Sequence, residues 1–253
     1  MVNNLRIIVV FFGLSHSLIA NSQSIESILE KHFQAIGGLE KWKLLKSIKI
    51  VQSHRYSQDE NFINTIFILP NKALRHESVL ESGQNHMIYG VYENEGWRVN
   101  APMPLNDSFT FSEMSKDEFI FFMKQTDLTF GLSNYENIID RYEFTGRVKV
   151  EGKENFEVVI KTKEGDKVHY FLDSTTFLLT KISGNVSVLG MGMQVPSDVY
   201  FSNFKNIQGY MFPFETSFSS NQISFGQRRF FNVESITINP EIDIKIFKKP
   251  SKF

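Results

Sequence analysis

Cysteine is absent from all 253 residues. That excludes disulfides, thiol nucleophiles and zinc–thiolate sites. It also excludes an acylated N-terminal cysteine, so the chain is not expected to be lipid-anchored itself. Charge of one sign is missing too. Lysine and arginine number 27 against 28 acidic residues, for a net charge of −1. The two signs are interspersed, so no basic face is offered and nucleic acid is not an expected partner.

Long apolar runs are also missing. Ile7–Leu14 is an apolar run preceded by Arg6, and it falls well short of the ~20 residues that span a bilayer. Small residues follow it, and Ala20-Asn21-Ser22 fits a small-x-small cleavage pattern. The reading is a signal peptide over residues 1–22, cut before Gln23, and export to the periplasm. Residues 23–253 then form one domain, long enough for a sizeable core.

Catalytic patterns are equally scarce. There is no G-x-S-x-G nucleophile elbow and no H-E-x-x-H. Gly190-x-Gly192 lacks a phosphate-loop lysine and opens no helix. Asp59-Glu60 and Asp117-Glu118 read as turn and cap residues. The histidines His32, His54, His76, His86 and His169 are scattered in sequence. Gathering of His54, His76 and His86 around an aspartate would be needed to revive a hydrolase. The expectation is a protein without catalysis, metal or cofactor.

What the chain has is phenylalanine, 25 of them against two tryptophans, set in alternating strands. Ser24–Ile36 is predicted as an amphipathic helix with Ile25, Ile28, Leu29, Phe33 and Ile36 on one face, Ser24 as its cap and Gly37-Gly38 as its stop. His32 sits on that stripe as a packed residue. A second short helical turn, Leu39–Leu45, carries Trp42. From Ser47 onward strands and turns follow every eight to twelve residues or so, as in a meander.

Two segments stand out. Ser115-x-x-Glu118 is a capping box, and the helix behind it bears Phe119, Ile120, Phe121, Phe122 and Met123, which demand cover on more than one side. It is either a lid over the sheet or a plain packing helix. Val199–Phe218 is a hairpin turning at Gln208-Gly209, with Phe212, Phe214 and Phe218 on one face and Pro213 marking an edge or bulge. Val168, Tyr170 and Leu172 share a face of an earlier strand. Spacing leaves open whether these aromatics fill a core or surround a cavity.

Several stretches resemble the outer-membrane lipoprotein-sorting proteins, the LolA-like periplasmic carrier superfamily, in its Bacteroidetes-type branch. They are Ile28-Leu29-Glu30-Lys31 with Ala35–Lys41, Leu69-Pro70-Asn71-Lys72, Asn94-Glu95-Gly96-Trp97, Tyr170–Asp173 with Phe177–Lys181, Tyr200–Phe214, and Asn239–Asp243 with Phe247–Pro250. The resemblance implies a mainly β, α+β fold, an incomplete antiparallel β-barrel with an N-terminal helix and a helical lid insertion. It implies a non-catalytic carrier of lipid or acylated lipoprotein cargo that meets lipoprotein-handling proteins of the inner or outer membrane. On that reading Tyr170, Leu172, Phe212, Phe214 and Phe218 line an apolar cavity, and Phe119, Phe122 and Met123 form the lid. The family holds its lid with an arginine. The usual position is Leu69 here, which leaves Arg55 and Arg75 as candidates. The alternative is an envelope-stress sensor or assembly module on the same fold that binds a protein partner.

Overall fold

The computed structural model describes residues 24–55, 60–83, 86–100, 110–133, 142–161, 165, 167–186, 195–220 and 228–250. The signal segment 1–22 and the Gly190-x-Gly192 stretch lie outside them.

Two helices come first, α1 (Ile25–Ala35) and α2 (Leu39–Lys43). Six strands follow: β1 (Ile48–Arg55), β2 (Asn61–Leu69), β3 (Ala73–Leu80), β4 (His86–Tyr92), β5 (Glu95–Asn100) and β6 (Thr110–Glu113). Helix α3 (Lys116–Lys124) leads to β7 (Tyr142–Val150), β8 (Lys153–Lys161), β9 (Lys167–Asp173), β10 (Leu179–Val186), β11 (Val195–Ile207), β12 (Tyr210–Ser219) and β13 (Arg229–Ile238). A short 3-10 helix, Ile244–Phe247, closes the described chain.

All of these strands join one antiparallel sheet, ordered β6-β5-β4-β3-β2-β1-β13-β12-β11-β10-β9-β8-β7. The chain meanders from β1 to one edge at β6. It then crosses with α3 to the other edge at β7 and meanders back until β13 pairs with β1. The sheet is therefore open between two strands that the α3 connection joins. This is the incomplete barrel expected from the resemblance.

Local chemistry places the helices. Ser24 accepts from the Ser27 amide at 3.3 Å and caps α1. The apolar stripe of α1 buries Ile28, Leu29 and Phe33 together with His32. The Ser115–Glu118 capping box is complete, each side chain bonding the other residue's backbone N–H. Helix α3 is less enclosed than its composition suggests. Phe121 and Phe122 are buried, whereas Ile120 is 41% exposed. Arg98, on the inner face of β5, forms an ion pair with Glu118 in the first turn of α3. Phe122 packs on Tyr89 of β4, ring centroids 4.5 Å apart.

The hairpin turns at Gln208 (φ 52°) and Gly209 (φ 83°), both left-handed as a tight hairpin requires. Its two strands part company with the rest of the sheet. β12 pairs with β13 only over Glu215–Phe218, whereas β13 continues along β1 to Ile238. The Tyr210–Phe214 half of β12 thus has β11 on one side and a gap on the other. The α1–α2 elbow fills the end of that gap. The Ile36 carbonyl accepts both the Met211 N–H (3.1 Å) and the Trp42 indole N–H (3.0 Å). Lys41 Nζ donates to the Gln208 carbonyl (2.6 Å), and the Tyr210 hydroxyl donates to the Lys41 carbonyl (3.1 Å). Residues two apart on a strand point their backbone groups the same way. Pro213 therefore faces the gap where Met211 does, and it has no N–H to leave unpaired. The predicted edge character of Pro213 is real, although its strand is interior.

Gly37 allows this approach. Its φ is 106°, and a Cβ on it would land on the Gly209 carbonyl oxygen. Gly37→Ala should destabilise the protein by about 1–3 kcal/mol from backbone strain alone, with a further cost for displacing the hairpin. Urea unfolding should show a lower midpoint at an unchanged slope.

Candidate functional site

The inner face of the sheet has two characters. Across β7–β12 it is aromatic and aliphatic, with Phe156, Val158, Tyr170, Leu172, Ile182, Val199, Phe201, Phe212, Phe214 and Phe218 buried. Across β1–β5 it carries a buried polar band. Gln52, Asn64 and Ser78 are successive cross-strand partners, and His76 lies one row away beside Tyr89.

Between the halves, under the gap, lies an apolar cavity of about 150 Å³. Its walls come from α1 and α2 (His32, Ile36, Trp42), β1 and β2 (Ile50, Gln52, Ile66), β11 and β12 (Val199, Phe201, Phe204, Met211, Phe212, Thr216) and β13 (Phe231, Val233, Ile236). The segment after α3 supplies Leu128, Thr129 and Phe130. No charged side chain is among the described lining residues. A cavity of this size accepts a ring-sized apolar group or a few methylenes.

The Leu128–Phe130 wall is a built loop. The Asp127 carboxylate accepts from the Thr129 amide (2.9 Å), the Thr129 hydroxyl (2.6 Å) and the Gly131 amide (2.9 Å). The Tyr170 hydroxyl donates to the Phe130 carbonyl at 2.8 Å, and burial pushes the Tyr170 pKa up, which keeps that donor protonated. The Phe130 ring lies 5.0 Å from Phe201, and the residue remains 40% exposed at the cavity's edge.

Of the eight side chains expected at the cavity and lid, Phe212 lines this cavity. Phe214, Phe218, Tyr170 and Leu172 point inward but are packed into the surrounding core. Phe122 packs with them, while Phe119 and Met123 are partly buried against them. The expected arginines are placed elsewhere. Arg75 is on the outer face, where its guanidinium bonds the Ile246 carbonyl (2.7 Å) and Glu77 (2.6 Å) and lies over Trp97. Trp97 also donates to the Phe247 carbonyl (2.9 Å), so Arg75 secures the C-terminal segment, not a lid. Arg55 is exposed at the end of β1. The arginine that reaches the helix is Arg98, which sequence reading missed. Its signal was its place one residue after Trp97, on the opposite face of the strand.

His54 and His76 do meet, through Asn64. Asn64 Nδ2 donates to His54 Nδ1 at 2.9 Å, and His76 Nε2 donates to Asn64 Oδ1 at 3.1 Å. The amide between them stands where a hydrolase would need a carboxylate, so the pair does not make a nucleophile–base relay. The side chain of His86 lies outside the described residues. His32 Nδ1 donates to the Phe177 carbonyl at 2.9 Å, a packed role as expected.

The comparisons with known proteins agree with this architecture. No protein-family model and no curated protein matches the chain. Among solved structures it is similar to a LolA superfamily protein from Nitrosomonas europaea, with a TM-score of 0.51 and 15% identity over 88% of this chain and 97% of that one. The chain has the LolA-like fold. Two further similarities have TM-scores of 0.48. One is a putative outer-membrane lipoprotein-sorting protein domain from Vibrio parahaemolyticus, at 12% identity over 87% of this chain and 94% of that one. The other is a DUF1329 family protein from Desulfovibrio piger, at 10% identity over 88% and 97%.

Within this LolA-like half-barrel the three inner histidines are neutral. Burial lowers the pKa of His32 to about 4, of His54 to about 4 and of His76 to about 3. The nearby Arg229 charge adds to the effect on His54. Their ordinary value is about 6.5. Because the folded values are depressed, the unfolded chain binds protons first as the pH falls. The stability they contribute is complete above about pH 6.5 and is lost progressively toward pH 4, with up to about three protons taken up. Melting temperature should be level between pH 7 and 8 and fall below pH 6.5. His32→Gln should flatten that slope by close to one proton.

Proposed function

We propose that this protein is a periplasmic carrier that holds the acyl chain of a lipid or lipoprotein in the apolar cavity and performs no chemistry on it. The observation that carries the reading is the cavity, apolar on nearly every wall, uncharged along its described lining, and set where β12 leaves β13. Burying an acyl chain there is worth about 0.8 kcal/mol per methylene, so about ten methylenes reach the micromolar range.

The cavity as it stands accepts only part of such a chain. Loading the rest requires the Leu128–Phe130 wall to move. Polar contacts that tie that region to the sheet include the Tyr170–Phe130 hydrogen bond, the Asn71 N–H to the Thr126 carbonyl and the Arg98–Glu118 ion pair at the start of α3. Arg98 takes the lid-holding role that was expected of Arg55 or Arg75. The Ser115 backbone N–H and then Arg98 hold the Glu118 carboxyl below its usual pKa, so this tie persists through mildly acidic pH. Export of the chain by a signal peptide over 1–22 belongs to the same reading, as does meeting lipoprotein-handling proteins at either membrane.

The test is uptake of N-phenyl-1-naphthylamine, a neutral apolar dye whose fluorescence rises on transfer from water. The folded protein should bind it saturably, and an acylated peptide should displace it. Phe130→Asp places a charge at the edge of the cavity, at an already exposed position. It should weaken dye binding at least tenfold while leaving the melting temperature within a few degrees. Val233→Trp, which fills the cavity, should do the same. If both variants bind dye like the wild type, the cavity is not the site. Retention of a protein partner by delipidated material would instead favour the sensor or assembly-module reading.

A further inference from the structure

Gln52 is the anomaly in the cavity wall. It is only 7% exposed, lies on the inner face of β1, and lines the cavity. Its carboxamide has no hydrogen-bond partner among the described residues. The neighbours explain why. Val233 is its partner on β13 and is apolar. Asn64 is its partner on β2, but the hydrogen bonds of the Asn64 amide go to His54 and His76. Ile50 precedes it on the same face of β1. The donors and the acceptor of Gln52 therefore have only the cavity to serve.

An apolar chain packed against that amide would strip it of water without a replacement partner, at a cost of about 1–3 kcal/mol. Resting on the carrier reading, we infer that the cargo brings an uncharged hydrogen-bonding group, an amide or ester carbonyl, into the cavity, and that Gln52 receives it. A carboxamide offers an N–H to a carbonyl oxygen and an oxygen to an amide N–H. An amide-linked acyl group satisfies both, and an ester satisfies the first. A carboxylate or phosphate is disfavoured, because the described lining holds no cation to compensate a buried charge, and His32 within it is neutral. The site thus reads the linkage of the acyl chain and discriminates against free fatty acid.

Octanamide, methyl octanoate and octanoate share one chain length and differ at the head. Each is titrated at pH 7.5 against protein loaded with N-phenyl-1-naphthylamine. Octanamide should displace the dye at about one-tenth the concentration that octanoate needs, with methyl octanoate between them, as one hydrogen bond to a buried amide predicts. Gln52→Met keeps the volume and removes the amide. It should still bind the dye and should lose the preference for octanamide over the ester. If octanoate displaces as well as octanamide from the wild type, or if the Met variant keeps the preference, the inference falls and the carrier reading stands. If the wild-type protein binds no dye, the carrier reading falls and the inference with it.

Discussion

The parting of β12 from β13 is the constraint on which the rest of the structure depends. An antiparallel sheet normally pairs its interior strands along their length, because a buried backbone N–H or C=O without a partner costs about 1–3 kcal/mol. Here the Tyr210–Phe214 half of β12 gives up that pairing. Two local features make this tolerable. The Ile36 carbonyl receives the Met211 N–H, and Pro213 removes the next donor that would face the gap. The same carbonyl holds the Trp42 indole, so one backbone oxygen fixes the elbow, the helix end and the hairpin together. Gly37 makes the close approach possible.

The cavity follows from this. Had β12 stayed paired with β13 in the Glu215–Asn232 register, Phe214 would oppose Val233 and the ladder would close the space. Instead the elbow spans the opening and leaves a space walled by side chains from both sides. Its walls are mostly aromatic from β11 and β12, while β1 and β13 add Ile50, Gln52, Phe231, Val233 and Ile236. The uncharged interior is maintained by burial itself, which keeps the inner histidines deprotonated at neutral pH.

Topology places the Leu128–Phe130 wall. The chain leaves one sheet edge at β6 and enters the other at β7, so the α3 segment must cross the open side of the half-barrel. That crossing is anchored by Phe121, Phe122 and Leu132 in the core, and its polar ties to the sheet are the Arg98 ion pair, the Asn71 N–H to the Thr126 carbonyl and the Tyr170 hydroxyl to the Phe130 carbonyl.

Much of this was legible in the residues. The α1 stripe with its Ser24 cap, the Ser115–Glu118 capping box, the Gln208-Gly209 turn and the anomaly of Pro213 all follow from interactions within a few positions. So did the fold class, from alternation and turns, and the resemblance named its architecture. Depth did not follow. Phe212 and Phe214 are two residues apart on the same face of one strand, yet the first lines the cavity and the second fills the core. Period-two alternation assigns a side chain to a face, and what stands opposite that face comes from strands and helices distant in the chain. For the same reason the spacing of Arg75 and Arg98 gave no warning that one would hold the C-terminal segment and the other α3. Nor did it show that Asn64 would join His54 to His76, leaving Gln52 to face the cavity alone. Those assignments are set by cross-strand register and by which donors are already taken, and both come into being only when distant strands pair.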